Sequence, residues 1–481
     1  MKNPLSFLRG KTAASRRKSA APSGGGIFHA IRAHFAAADH ADKASDWWKA
    51  DYLSADADAN ADTRRILRTR SRYEYQNNSY ARGVIQCLAN DSIGNGPRLR
   101  YASPDDRLNA RIERDFAAWA EVVRLADKLR TIRIARAQDG EAFVFLGQNP
   151  AINSLVKLDL MLIDADRITG GDTRPSDETA ALGKSITVDG ITYDRYGNAV
   201  SYRVLRSHPG GGLWQGDEAL VAPAANMLHI FRPDRPEQHR GVPELSAALP
   251  LFAKLRRYTN AVVDSAEKAA EYGGILYTDH PKDDTAAEIE PMDAVTLDVN
   301  QLTTMPEGWK MDELYVKAPI STYPDFKKEI LSEIGAAIGI PYSIVAGTSA
   351  GYSYASAKLD HQTYFRILRS ERAFVEDAIL NRVFALWLRE WSLTHPDAPR
   401  RTSEDDCAEL YISPWNASWL WPICDDLDML TAANVQTIAL KNRTTTLANE
   451  YARQGKNWKT ELAQFEKERS YLEKLGLLKK E

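Results

Sequence analysis

The chain has 481 residues, with 62 Lys and Arg against 65 Asp and Glu, and so a net charge of −3. Hydrophobic residues make up 44% and charged residues 26%, the balance of a folded protein of about three domains. This excludes a disordered tail protein and one that coats nucleic acid by bulk positive charge, and no run nears the ~18 apolar residues of a membrane helix.

Residues 1–20 hold Lys2, Arg9, Lys11, Arg16, Arg17 and Lys18 and no acid, and Ser23-Gly24-Gly25-Gly26 follows. We expect a flexible basic segment over 1–45, with no apolar core suited to a secretory signal. An acidic run (Asp39, Asp42, Asp46, Asp51, Asp56, Asp58, Asp62) then meets Arg64, Arg65, Arg68, Arg70 and Arg72. Ile66, Leu67, Tyr73, Val84, Ile85 and Leu88 recur near helical spacing, which predicts a helix over 62–93. Asp62 is its expected N-cap and Gly94-Asn95-Gly96-Pro97 its stop. A second helix fits 105–120, with Ile112, Phe116 and Trp119 on one side. A further basic stripe follows at Arg124, Lys128, Arg130, Arg133 and Arg136.

From 141 to 232 the pattern turns to strands, at 141–146, 155–163, 185–188 and 199–204, with turns at Asp189-Gly190 and Tyr196-Gly197-Asn198. After Pro243, Leu251, Leu255, Tyr258, Val262 and Ala266 form one apolar helical stripe. Residues 273–322 are a mixed insert punctuated by four prolines, and helix resumes over 323–338 before the turn Gly339-Ile340-Pro341. A long helix is predicted from Ser353 to Trp391. Val375, Ile379, Val383, Trp387 and Trp391 form one row and Leu380, Phe384 and Leu388 a second. Two adjacent rows require burial between neighbours. The stretch 425–481 is helical and amphipathic, with breaks near 443–446 and Gly455, so the fold class is α+β. Cys87, Cys407 and Cys424 lie far apart without C-x-x-C spacing, which excludes a Cys₄ metal site and a disulfide scaffold.

Few motifs suggest catalysis. Gly347-Thr348-Ser349-Ala350-Gly351 fits G-x-S-x-G, the elbow that presents a serine nucleophile after a strand, with His361, His395 and Asp360 downstream. The preceding segment 343–346 is short, and the following long helix would place His361 and Asp360 on its surface, so a flexible small-residue loop fits better. Asp56, Asp58 and Asn60 imitate a calcium loop, but Ala61 and Leu67 replace the required Gly and Glu. Gly183-Lys184-Ser185 ends like a P-loop, yet Glu178 stands where its first Gly belongs. The nine histidines show no metal-ligand spacing, so neither metal nor cofactor is expected. A charge block taken alone fits a solvated helix face; segregated blocks also suit faces that meet charged partners.

Five motifs in order resemble the lambda family of tailed-phage portal proteins, over roughly residues 60–460. They are Asn77-Asn78-Ser79-Tyr80-Ala81-Arg82-Gly83 leading to Gly94-Asn95-Gly96, the step Asp139-Gly140-Glu141, and the segment 232–243 ending in Arg240-Gly241-Val242-Pro243. Gly339-Ile340-Pro341-Tyr342 and then 352–358 complete the set, with Tyr354 and Ala355 interrupting the last pattern and Lys358 replacing the usual Arg. The resemblance implies a non-enzymatic ring, commonly of twelve subunits, at a capsid vertex in the virion, assembled in the host cytoplasm. Double-stranded DNA would pass through it during packaging and ejection. Implied partners are the large terminase, the major capsid or scaffolding protein and a head–tail connector. On that plan 46–243 is a wing, 244–272 a first stem helix, 273–322 a clip and 323–345 a second stem helix. Residues 346–424 hold a channel loop (Gly347, Thr348, Ser349, Ala350, Gly351, Tyr352), a long helix and the rest of the wing, and 425–481 a helical crown. Near neutrality then suits a bore through which DNA slides, and Arg64, Arg65, Arg68, Arg70 and Arg72 are expected to pair with acids of neighbouring subunits or capsid protein. The alternatives are a serine hydrolase at Ser349 and a basic nucleic-acid-binding module at 64–72.

Overall fold

In the computed structural model, residues 51–170, 186–211, 218–271, 275–278, 309–312, 322–395, 413–422, 429–454 and 456–477 are described. The predicted basic segment, the acids at 39–46, the P-loop-like 183–185 and most of 273–322 lie outside these residues. Residues Ser54–Glu481 form one compact unit; of the other, Met1–Leu53, only Asp51–Leu53 are described, and they are exposed.

The Arg-rich region is two helices where the spacing predicts one. After a single turn α1 (Ala55–Asp58) come α2 (Ala61–Asn77) and α3 (Ser79–Ile93). Asn60, not Asp62, caps α2, its side chain accepting from the Thr63 amide. Asn78 breaks the pair and caps α3, accepting from the Tyr80 and Ala81 amides. An Asn side chain offers the orphan amides of a helix start an acceptor, which apolar periodicity cannot register. The chain continues through β1 (Arg98–Tyr101), α4 (Asp106–Val122) and α5 (Leu125–Asp139). The basic stripe at 124–136 is thus helix α5. Gly140, left-handed at φ 88°, ends it.

Two antiparallel sheets follow. One has the order β3-β2-β8, from β2 (Glu141–Gln148), β3 (Leu158–Ile163) and β8 (Met227–Phe231). The other runs β4-β5-β6-β7, from β4 (Ile186–Val188), β5 (Ile191–Tyr193), β6 (Ala199–Leu205) and β7 (Ala219–Pro223). The sequence pattern missed β5, β7 and β8, each of five residues or fewer.

Next come α6 (Leu249–Glu271), the hairpin strands β9 (Ile275–Thr278) and β10 (Trp309–Asp312), and α7 (Tyr323–Ile338). Helix α8 (Tyr342–Ala346) precedes the exposed 347–351 segment, then α9 (Tyr354–Val375), a π-helical turn at Glu376–Leu380 and α10 (Asn381–Thr394). All eight residues of the two predicted rows are buried, among them Trp387 and Phe384. They pack with Phe116, Trp119 and Trp419 in a core that joins α4 and α5 to the β2 sheet. The π turn sits where Trp419 and Trp421 of the segment around β11 (Ala417–Leu420) donate to Asn381 and Glu376. Helices α11 (Met429–Lys441), α12 (Leu447–Arg453) and α13 (Trp458–Lys474) end the chain.

Candidate functional site

Arg64, Arg68 and Arg72 recur every four residues, so one face of α2 carries all three guanidinium groups. That face meets the motif Asp139-Gly140-Glu141 and the acids of two turns. Arg68 pairs with Glu141 and, at 3.0 Å, with Asp166; Arg72 pairs with Asp139 at 2.7 Å, Asp166 at 2.5 Å and Asp164 at 3.1 Å. Arg64 pairs with Asp189. Arg240 completes the cluster from the other side. Its Nε and Nη2 donate to Glu141 at 3.0 and 2.7 Å, and Nη1 to the Asp189 carboxylate and carbonyl, both at 2.7 Å.

The two family-like motifs are therefore one object in space. Glu141, fully buried, also accepts from the Gly241 amide and bonds His229 at 2.9 Å. Gly140 and Gly241 touch backbone to backbone: a Cβ on Gly241 would stand 2.2 Å from the Gly140 carbonyl oxygen, so neither admits a side chain. Burial opposes ionisation of Glu141, but Arg240 and Arg68 outweigh it and hold the carboxyl well below its ordinary value. Burial wins at Asp139, which is pushed up despite Arg72, and at His229, which is pushed down. A second buried knot lies beside it, where Arg133 and Arg136 of α5 grip Glu244 and Glu371. Sequence reading missed Glu141, Glu244 and Glu371 as partners; Glu141 and Glu244 directly follow Gly140 and Pro243, while Glu371, inside α9, carries no such signal.

The structure thus corrects the expectation for the basic run. Arg64 and Arg68 are 2% and 5% exposed, and they and Arg72 spend their charge on acids of the same chain. Removing such groups from water demands partners fixed by the fold, and the fold supplies them. Arg65 and Arg70 stay exposed, Arg65 against Asp62. The basic-module alternative loses most of its cations by the same pairing.

Gly347, Thr348, Ser349, Ala350 and Gly351 are all exposed, and Tyr352 is half-buried, stacked on Tyr342. Gly347 at φ 62° ends α8, and Gly351 at φ 81° turns the chain into Ser353, the cap of α9. A helix, not a strand, precedes Ser349, so the elbow geometry is absent. Asp360 accepts from Ser343, His361 packs at a tilt against Phe365 and His395 stacks on Trp391; among the described residues no imidazole partners the Ser349 hydroxyl. Asp164, Asp166 and His208 have cation-ligand proximity, but Arg72 already bridges both carboxylates. Among the described residues no helix is long and apolar enough to cross a membrane.

Among curated proteins none matches significantly. Solved structures that align with this chain include the neck of an empty gene transfer agent particle computed with C6 symmetry, at 13% identity and TM-score 0.45, covering 81% of this chain and 93% of that one. The virion of a native gene transfer agent particle aligns at 13% identity and TM-score 0.41, with 81% and 93% covered. The neck of a native particle computed with C12 symmetry aligns at 12% identity and 0.41, with 82% and 94% covered. The family model described as phage portal protein, lambda family, matches residues 41–372 and contains both motifs of the buried cluster. The chain belongs to the lambda family of phage portal proteins.

Proposed function

We propose that this chain is a portal subunit whose copies close into a ring, of about twelve subunits on the family plan, at a capsid vertex. Double-stranded DNA passes through the ring without sequence preference during packaging and ejection. The ring docks the large terminase, then head–tail connector proteins, and contacts the major capsid or scaffolding protein. The family match over residues 41–372 carries this reading.

Three structural features support it. Helices α6 and α7 pack as a pair, with Tyr258 against Phe326 at 4.8 Å and Thr259 bonded to Tyr323 at 3.1 Å. They enclose the insert whose ends pair as β9 and β10, which suits a two-helix stem carrying a clip at 273–322. The segment 347–352 is uncharged and exposed over 347–351, as a channel loop requires if DNA is to slide. Neutralisation of Arg64, Arg68 and Arg72 within the subunit removes cations that would grip phosphates. Arg65 and Arg70 remain for the contact between subunits. Purified full-length protein should form rings in negative-stain images, with duplex affinity that is weak and independent of sequence. A monomer across a wide concentration range would overturn the reading.

A further inference from the structure

We propose that Asp360 of α9 is a positioning residue for the exposed segment Gly347–Gly351, clasping it at both ends and so fixing how far it stands out from the subunit. The inference deepens the portal reading above and rests on it, because that reading sets the segment in the bore. Within the segment the Ala350 amide bonds the Thr348 hydroxyl at 3.2 Å, and the Tyr352 amide bonds the Ser349 carbonyl at 3.2 Å. Gly347 at φ 62° and Gly351 at φ 81° turn its two ends, and a Cβ on either would meet open space. Neither turn is packed against the described residues, so what fixes the segment lies in its flanks.

Both flanks return to one carboxylate. On the entry side Ser343 of α8 is engaged at two points. Its carbonyl accepts from the Gly347 and Thr348 amides, the latter at 3.3 Å, and its hydroxyl donates to Asp360 Oδ2 at 3.2 Å. On the exit side Tyr352 folds back over Tyr342, with ring planes 10° apart and centroids at 6.4 Å. Burial and the negative charge of Asp360, to which its hydroxyl is also bonded, push the Tyr352 phenol up. Tyr342 and Ser343 before the segment and Tyr352 after it therefore meet at the foot of α9.

Asp360 differs from the acids of the buried cluster. Asp139, Asp164, Asp166 and Asp189 each pair with an arginine, whereas among the described residues Asp360 forms no salt bridge. Two hydroxyls from opposite ends of the segment converge on it instead. An ionised carboxylate only accepts, and it draws O–H donors more strongly than a neutral acceptor does. Its own place is fixed from behind, since Ser353 caps α9 and Tyr364 and Leu368 of the same helix are buried. Val345 anchors α8 in that same core. The carboxylate thus ties together two helices that are themselves held, and it limits the free span to Gly347–Gly351. Without it Tyr352 is released with Gly351, and the reach of the segment varies from copy to copy.

The test uses the full chain and follows amide hydrogen exchange by mass spectrometry, with ring fraction read by mass photometry on the same samples. Peptides covering 347–352 should exchange about 2- to 10-fold faster in Asp360→Ala and in Ser343→Ala, while peptides of α2 exchange as in wild type. Ser343→Thr keeps the hydroxyl and should restore the wild-type rate. A spectroscopic signature should agree. With all three cysteines replaced by serine, a nitroxide attached through Ser349→Cys should give a more mobile spectrum when Asp360→Ala is added, and one attached through Arg70→Cys should not. Unchanged exchange and spectra in Asp360→Ala overturn the clasp and leave the portal reading standing. Loosening that extends equally to α2, or Ser343→Thr behaving like Ser343→Ala, overturns it as well. A wild-type chain that stays monomeric overturns the portal reading, whatever the exchange rates show.

Discussion

Replacing Arg240 by Met keeps the length of the side chain and removes its charge and all six of its donor contacts. Glu141 keeps Arg68, His229 and the Gly241 amide, so it is weakened but not stranded. The carbonyls of Ile168 and Asp189 lose a donor, at about 1–3 kcal/mol each where nothing replaces it. Together these place the cost at about 3–5 kcal/mol, the range for breaking one side of a buried ion pair. At about 2–4 °C per kcal/mol for domains of 150–250 residues, the first thermal transition should fall by about 6–20 °C. Tryptophan fluorescence is a suitable monitor because Trp119, Trp387 and Trp391 are buried in the core beside the cluster. Arg240→Lys should fall in between, since an ammonium keeps the charge but not the planar fork. The double variant with Glu141→Gln should cost less than the two singles added, with a coupling of about 0.5–3 kcal/mol. Because Arg240 and Arg68 overcome burial and hold Glu141 below its ordinary 4.5, its stabilisation is present above that pH and fades as pH falls through the depressed value. A transition within about 2 °C of wild type for Arg240→Met, below the smallest shift worked out above, would refute this account of the motif.

Other outcomes follow from the same geometry. Gly241→Ala forces a Cβ to 2.2 Å from the Gly140 carbonyl, so soluble yield and melting temperature should both fall, while Gly83→Ala, facing open space within a helix, should not lower either. The hydrogen bond that its ring donates to Asp56 raises the pKa of His239, and although burial opposes it, the bonds from His239 hold Asp56 below its ordinary value. That pair stabilises fully between about pH 4 and 6.5 and loses its effect as pH rises through the raised histidine value, so His239→Gln should cost more at pH 5.5 than at pH 9. Burial, with Asp91, pushes the Cys87 thiol up to about 11. In a Cys407→Ser, Cys424→Ser chain, iodoacetamide at pH 8 should therefore modify native protein far more slowly than urea-unfolded protein. A fluorophosphonate probe should leave Ser349 unlabelled; labelling lost in Ser349→Ala would revive the hydrolase reading.

How much the sequence reveals depends on the range of the interaction. The rows through Trp387 and Phe384 were legible because helical spacing is local, and both rows are buried. The helix break at Asn78 was hidden, since a cap is one side chain's bond and leaves the apolar period intact. The fate of the arginine run was hidden for a different reason. Arg64 finds Asp189 at 125 residues' separation and Arg68 finds Glu141 at 73, and nothing local to 64–72 reports such partners. Motif resemblance brought Glu141 and Arg240 to notice separately, but only the fold shows them as one ion pair. The stripe of α6 was half legible: Leu255 is buried, while Ala266 is exposed on the distal turns.

The most direct test of the central claim is a cryo-electron-microscopy reconstruction of the purified full-length chain, with symmetry counted rather than imposed. The account predicts a closed ring of about twelve subunits with Gly347–Tyr352 at the bore and α6 and α7 side by side along it. Monomers, an open filament, or a ring with that segment on its outer surface would contradict it.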